Sequence, residues 1–229
     1  MRPLKSDIQK PRRKLLQHLA REIRDERVLK AMAEVPREEF LPEGSRHLAY
    51  DDVALSIGSG QTISQPFMVA LMSSVLSLAG DERVLEVGTG SGYQAAVLSY
   101  LLPRGTVVTV ERVPVLAQSA EERLRSLRYA NVTVREAGRE LGCQEEAPFD
   151  AVLVAAAAPR LPTALLSQLR RGGRLVIPIG SLEEQELVKA TKTDEGTSIQ
   201  ILGGCRFVPL VGQDAWPENS RPSKGFFRS

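Results

Sequence analysis

The stretch Val84-Leu85-Glu86-Val87-Gly88-Thr89-Gly90-Ser91-Gly92-Tyr93 carries glycine at every second position of a short loop. An apolar run leads into it, and an apolar helical pattern from Gln94 to Leu102 follows. That order reads as strand, tight turn, helix. Glycines let the backbone approach a ligand closely, and the start of the helix offers unpaired N–H groups. The spacing G-x-G-x-G differs from the dinucleotide G-x-G-x-x-G and from the phosphate loop with its terminal lysine. Glu86, two residues before Gly88, sharpens the point, because a carboxylate there suits a cationic group better than a pyrophosphate. The plainer alternative is an ordinary βα turn.

A second acid follows. Thr106 to Val110 is β-branched throughout and reads as a strand ending at Glu111. An acid about 20 residues beyond a glycine loop can accept hydrogen bonds from both hydroxyls of a ribose. The alternative is a solvated carboxylate paired with Arg112. A nucleoside with free hydroxyls fits both methyl donors and nicotinamide cofactors, so Glu111 does not separate them. The ammonium and sulfonium of S-adenosylmethionine fit Glu86.

The segment Gln61-Thr62-Ile63-Ser64-Gln65-Pro66 gathers two hydroxyls and two amides where a long connection meets a helix. Helix capping is one account, with Ser64 as N-cap and Pro66 in the first turn. A serine without a base is a poor nucleophile. The two histidines, His18 and His47, neighbour no serine or acid motif, which argues against a hydrolase triad. Ala155-Ala156-Ala157-Ala158-Pro159 follows a strand. Small residues there leave room either for a ligand or for close helix–sheet packing.

These groups need a scaffold, and the pattern describes one. The chain has 229 residues, 42% of them hydrophobic, enough for one α/β domain with a short extension. Leu15, Leu16, Leu19 and Ile23 fall at helical spacing, Val28, Met32 and Val35 suggest a second helix, and Pro36 ends it. Residues 39 to 65 form a long connection rich in turn formers, and a helical period returns from Pro66 to Leu78. Beyond it come strand Arg83–Val87, helix Gln94–Leu102, strand Thr106–Val110, helix Val115–Leu127, and strands Val132–Arg135 and Ala151–Val154. Helix Thr163–Leu169, a turn at Gly172-Gly173 and strand Arg174–Pro178 follow. Alternation of this kind predicts a doubly wound, mostly parallel sheet with helices on both faces. A hairpin around Asp194-Glu195-Gly196 and a last strand from Arg206 to Val211 complete the reading, and the polar tail from Ala215 is expected to fray.

The net charge is +2 with dispersed charges, so no nucleic-acid partner is expected, and Lys10-Pro11-Arg12-Arg13-Lys14 reads as a solvated helix start. No apolar stretch reaches membrane-spanning length: serines interrupt Met68 to Leu78, and Val152 to Ala158 is too short. The N-terminus lacks the apolar region of a secretory signal. Cys143 and Cys205 are far apart without metal spacing, so no metal site is expected, and reduced thiols in the cytoplasm are the simplest account.

From about Val35 to Gly212 the chain resembles protein-L-isoaspartate O-methyltransferases. The resemblance rests on Val35-Pro36-Arg37, Phe40-Leu41-Pro42, Tyr50, Ile57-Gly58, the segment from Gln61 to Pro66 and the glycine loop from Glu86 to Tyr93. It continues through Ala156-Ala157-Ala158-Pro159, Gln168-Leu169, Gly172-Gly173-Arg174-Leu175 and Arg206-Phe207-Val208-Pro209-Leu210. The glycine loop is shared by many methyltransferases; the Thr-Ile-Ser segment is much more specific. The resemblance implies a class I methyltransferase, Rossmann-like fold. It implies methyl transfer from S-adenosylmethionine to the α-carboxyl of L-isoaspartyl residues in damaged peptides and proteins, starting repair through a succinimide.

It further implies Ser64 and Thr62 as catalytic residues, with Ser64 beside the donor methyl group and the incoming carboxylate. Glu86, Gly88, Thr89, Gly90, Gly92, Glu111, Gly138 and Arg139 are implied around the cofactor, and Ile57, Gly58, Gln65, Ala157, Pro159 and Val208 around the substrate. One departure stands out. Similar proteins carry Gly-Asp-Gly after the third parallel strand, with the acid reaching the adenine. This chain has Ala137-Gly138-Arg139-Glu140-Leu141-Gly142, with Gly138 opposite the acid, and Cys143 where an aromatic is usual. Glu140 or backbone groups substitute there, or the cofactor binds more weakly.

The expected organisation is a helical extension with an active-site loop over residues 1–65, a methyltransferase core over 66–214 and a flexible tail over 215–229. A monomer is expected. The alternatives are a carboxyl methyltransferase for a different peptide aspartate, a non-catalytic binding module that kept the fold, and a nicotinamide-dependent oxidoreductase. The G-x-G-x-G spacing and the Thr-Ile-Ser segment argue against the last.

Overall fold

A computed structural model describes residues 5–220. Two helices open it, α1 (Lys5–Leu19) and α2 (Glu26–Glu34). Asp25 caps α2 by accepting from the N–H groups of Arg27 and Val28. The helix buries Val28, Ala31 and Met32, and its C-cap Val35 is held extended before Pro36. Leu15, Leu19 and Ile23 join the same core. The long connection is not structureless: it holds two 3₁₀ turns, Arg37–Phe40 and Glu43–Leu48, and a small hairpin of β1 (Leu55–Gly58) and β2 (Gln61–Ile63).

After α3 (Pro66–Val75) the alternation runs β3 (Arg83–Val87), α4 (Tyr93–Leu101), β4 (Thr106–Glu111), α5 (Pro114–Ser126), β5 (Val132–Glu136) and β6 (Phe149–Val154). The chain continues with α6 (Thr163–Ser167), β7 (Leu169–Gly180), β8 (Gln185–Thr193) and β9 (Gly196–Cys205). The seven strands lie in the order β5-β4-β3-β6-β7-β8-β9. β5, β4, β3, β6 and β7 run parallel, and β8 and β9 add an antiparallel edge. The inner strands are apolar on both faces, as a sheet covered on both sides requires. From β3 the chain winds outward to β4 and β5, then returns to place β6 on the other side of β3. The switch point therefore lies between β3 and β6, and crevices at the carboxyl ends of such strands are where α/β sheets bind ligands.

At four places the structure departs from the sequence pattern. Arg206–Val211 is not a strand: Pro209 has no N–H to donate, and the segment crosses the strand ends, bridging Ala157 to Pro209. Gly172-Gly173 does not precede β7 but bulges within it, between the pairs Phe149–Leu169 and Ala151–Arg174. The helix before it stops at Ser167, earlier than the periodicity suggests. Ala215 and Trp216 do not fray, because the Trp216 N–H donates to Leu210 and its carbonyl accepts from Gly212. The expected tail beyond Ser220 lies outside the described residues.

Gly92 shows how tightly this scaffold holds its loop. Its φ is 85°, and an added Cβ would lie 3.3 Å from two carbons of Leu124 on α5. Gly92→Ala should lower stability by about 1–3 kcal/mol, the size expected of one left-handed non-glycine residue with a tight contact. Urea unfolding of the two proteins measures it.

Candidate active site

A cavity opens where the carboxyl ends of β3, β4 and β6 meet the β2–α3 junction. Its floor is the glycine loop. The N–H groups of Gly88 and Thr89 donate to the Val110 carbonyl at 2.9 and 3.2 Å, so the loop is laced to the end of β4. Gly88 faces Ala155, with an added Cβ 3.5 Å from that residue's own, so small side chains on adjacent strands keep the backbone open. Arg123 on α5 donates to the Ser91 carbonyl at 2.9 Å and pins the far side of the loop.

Glu111 ends β4 and lines the cavity. Its Oε2 accepts from the Gly90 N–H at 2.8 Å and its Oε1 from the Val113 N–H at 2.9 Å. A carboxylate has about four lone-pair sites, so an acceptor remains on each oxygen. Two rigidly aimed acceptors at the end of β4 fit the paired hydroxyls of a ribose.

Glu86 takes a different place from the one its spacing suggests. It is fully buried and does not line the cavity. Its Oε2 meets the Thr109 hydroxyl, which also meets the Thr89 hydroxyl at 2.7 Å, while Oε1 finds no partner among the described residues. Burial, with some repulsion from Glu111, pushes the carboxyl up to about 8. It is Thr89 that carries this row to the cavity wall.

Thr62 and Ser64 line the opposite wall. Ser64 does not cap α3. The N-cap is Gln65, and the Phe67 N–H that a Ser64 cap would take donates to Asp52 Oδ1 at 2.8 Å. Asp52 also accepts from the Gln65 side chain at 2.9 Å, so Gln65 is committed to it, and His18 Nε2 lies 3.4 Å away. Sequence spacing alone gave His18 no acidic neighbour; folding of the extension supplies one.

Arg37 anchors this wall. It is 0% exposed, donates to the Ser64 carbonyl at 2.9 Å and to Val53 at 3.3 Å, and sits 5.0 Å over the Tyr93 ring. The guanidinium thus links the backbone of Ser64 to the residue that starts α4. Desolvation lowers its pKa from the usual arginine value, and Tyr93 and Asp52 oppose that. In the sequence Arg37 stands out only within the family resemblance, and no local pattern marks Asp52 or Thr109; an arginine beside Val35 and Phe40 is the available signal for a buried cation.

Gly138, Arg139, Glu140 and Leu141 form a third wall. Gln168, 1% exposed, holds it by accepting from the Cys143 N–H at 2.8 Å and donating to the Leu141 carbonyl at 2.7 Å. Val208 completes the lining. Ile57 reaches over the loop, its Cδ1 3.5 Å from a Cβ built on Gly90. Gly92, Gly58, Ala157 and Pro159 do not line the cavity; Ala157 instead exchanges backbone hydrogen bonds with Val208 and Leu210, which suspends the Val208 segment over the site.

The family model of protein-L-isoaspartate(D-aspartate) O-methyltransferase matches residues 10–215. The chain belongs to that family. A protein-L-isoaspartate O-methyltransferase 1 of Geotalea uraniireducens is 54% identical over 200 residues, 86% of this chain and 90% of that one. A protein-L-isoaspartate O-methyltransferase of Brucella anthropi is 47% identical over 93% of this chain and 98% of its own. Among solved structures, a protein-L-isoaspartate O-methyltransferase superposes with a TM-score of 0.78 at 31% identity, covering 89% of this chain and 67% of the other. One from Plasmodium falciparum, in complex with S-adenosyl-L-homocysteine, gives 0.74 at 29% identity over 85% of this chain and 95% of its own. The class I methyltransferase fold is thus established for a member of the protein-L-isoaspartate(D-aspartate) O-methyltransferase family.

The buried carboxyl has a consequence for stability. The native state holds the Glu86 proton up to about pH 8, whereas an unfolded chain releases it near the ordinary value of 4.5. The native state therefore binds more protons across that window, and stability falls as pH rises through it. Ligand-free Glu86→Gln should lack this loss, so its thermal midpoint relative to wild type should climb between pH 5.5 and 8 and level off above. Thermal unfolding of both proteins across that range checks it.

Proposed function

We infer that this chain methylates the α-carboxyl of L-isoaspartyl residues in peptides and proteins, with S-adenosylmethionine as donor. The ester then closes to a succinimide whose hydrolysis returns part of the material to normal aspartate. The observation that carries the reading is the meeting, in one cavity, of Thr62 and Ser64 with the glycine loop and Glu111. Support comes from family membership and from the bound S-adenosyl-L-homocysteine of the Plasmodium relative.

The residues present fit that cofactor. Glu111 offers two fixed acceptors for ribose hydroxyls, and the Gly88–Ala155 contact leaves the loop backbone open to close approach. When bound, S-adenosylmethionine supplies an electrophilic methyl group on a sulfonium. The acceptor carboxylate is already ionised at neutral pH, so no strong general base is needed. What the chain must supply is alignment for an in-line displacement. We assign that task to the Ser64 hydroxyl, which orients the incoming carboxylate, with Thr62 beside it. Arg37 holds the Ser64 carbonyl, and Asp52 holds the start of α3. Ile57, Gly58, Gln65, Ala157, Pro159 and Val208 are proposed to shape the peptide side, directly or by holding the segments that do.

We place the protein in the cytoplasm, where the free thiols of Cys143 and Cys205 remain reduced. Among the described residues no helix is long and apolar enough to cross a membrane.

Radiolabelled methyl transfer to an isoaspartyl peptide, beside its aspartyl twin, tests the reading; labelling of the aspartyl twin alone overturns it. Ser64→Ala should lower turnover tenfold to a hundredfold, about 1.4–2.7 kcal/mol, while donor affinity changes little. Because Asp52 occupies the capping position, thermal stability should stay near wild type. Normal turnover in the folded variant would remove Ser64 from the chemistry.

Gly138 gives a separate test. No atom of the described residues lies within 4 Å of a Cβ built there, so an aspartate can enter without a clash. Gly138→Asp should tighten S-adenosylmethionine binding by about 0.5–1.5 kcal/mol, one net hydrogen bond to the adenine. Unchanged or weaker binding in calorimetry would mean that another group, Glu140 first, already fills that role.

A further inference from the structure

A buried polar row runs beneath the glycine loop. Glu86 Oε2 on β3 meets the Thr109 hydroxyl on β4 at 2.5 Å, and that hydroxyl meets the Thr89 hydroxyl at 2.7 Å. Thr89 borders the cavity, while Glu86 is sealed from it at 0% exposure. Among the described residues Glu86 Oε1 has no partner. An ionised carboxylate with an orphaned oxygen is costly in such a place, whereas the neutral acid needs only one acceptor for its O–H. The surroundings agree. The flanking strands set Thr109 and Leu153 beside Glu86, and α3 and α4 carry no charged side chain. Tyr93 on α4 is kept neutral by burial, its pKa pushed up to about 12. Among the described residues Glu111 is the charged group whose field reaches Glu86, and it opposes ionisation; burial and this field together raise the carboxyl to about 8.

Each threonine hydroxyl carries one proton, so the row has two orders. With Glu86 neutral, its O–H donates to Thr109, Thr109 donates to Thr89, and the Thr89 O–H turns outward. With Glu86 ionised, Thr109 donates to Glu86, Thr89 donates to Thr109, and the Thr89 oxygen presents a lone pair instead. We propose that Glu86, Thr109 and Thr89 form a proton wire by which a positive charge arriving at the cavity wall expels the Glu86 proton. Each O–H bond shifts one place along the row, one proton passes from Thr89 to water and buffer, and no other bond changes. The wall thereby turns from donor to acceptor, and a buried negative charge appears under the cation. This inference rests on S-adenosylmethionine, with its ammonium and sulfonium, being the occupant.

Calorimetric titration at pH 7 in buffers of different ionisation enthalpy counts the protons. Wild type should release close to one proton more per S-adenosylmethionine bound than Glu86→Gln, a comparison that cancels the ligand's own titration. 5′-Methylthioadenosine, which lacks both cationic centres, should show no such difference. Thr109→Val keeps the carboxyl but breaks the row, and its release should fall below half that of wild type. On wild type alone, the infrared carbonyl band of a protonated carboxylic acid should vanish when S-adenosylmethionine binds. Equal proton counts in wild type and Glu86→Gln, full release in Thr109→Val, or a persistent acid band overturns the wire and leaves the donor assignment standing. Absence of S-adenosylmethionine binding to wild type overturns both.

Discussion

The tie between the glycine loop and the end of β4 is the contact on which the site depends. Glu111 and the Val110 carbonyl together hold the N–H groups of Gly88, Thr89 and Gly90. Left-handed glycines would otherwise leave this turn free to sample many shapes. Because β3 and β4 are adjacent and parallel, in register from Arg83–Thr106 to Val87–Val110, the acid at the end of one strand falls beside the loop at the end of the other. The register of a buried parallel pair thus becomes the geometry of a ligand site. A slip of β4 by one residue would turn Thr109 away from Glu86 and break the loop tie with it.

The helical extension is bound to this centre by polar groups, not only by its apolar face. Asp52 takes three contacts, from His18 on α1, from Gln65 and from the Phe67 N–H, so one carboxylate joins the first helix to the start of α3. Arg37 does the same for the backbone of Ser64 and the ring of Tyr93. A buried arginine bonded to carbonyls satisfies acceptors that would otherwise be stranded in a core, which is why its loss would be felt beyond its own position. The extension is therefore one wall of the cavity as much as it is a cover for the sheet.

Gln168 and Gln185 play the same part on the far side. Gln168 clamps the segment from Leu141 to Cys143, and Gln185 accepts from the Phe207 N–H at 2.9 Å to hold the crossing segment that carries Val208. Both amides are almost wholly buried, and both carry donor and acceptor on one rigid group, so each can hold a loop that has no strand partner of its own. The departure at Gly138 sits on a clamped loop, where a change of side chain need not move the backbone.

The linear pattern by itself determined the doubly wound, mostly parallel sheet and the hairpin at its edge, while the order of the strands came from the structure. Periodicity and glycine placement are local signals, and buried parallel strands must be apolar. It also marked the glycine loop, Glu111, Thr62 and Ser64, whose residue types announce themselves. Tertiary structure decided the rest. It gave the start of α3 to Asp52 instead of Ser64, because a residue brought back by the β1–β2 hairpin reaches the N–H groups better than the adjacent hydroxyl. It drew Glu86 beneath the loop and set Thr89 at the wall, since Thr109 on the neighbouring strand meets both and only Thr89 borders the cavity. It turned Arg206–Val211 from a strand into a crossing, because Pro209 cannot extend a ladder and Ala157 offers only a single bridge. Each of these outcomes depends on partners distant in sequence, and no local pattern encodes where a distant acceptor will lie once the sheet has closed.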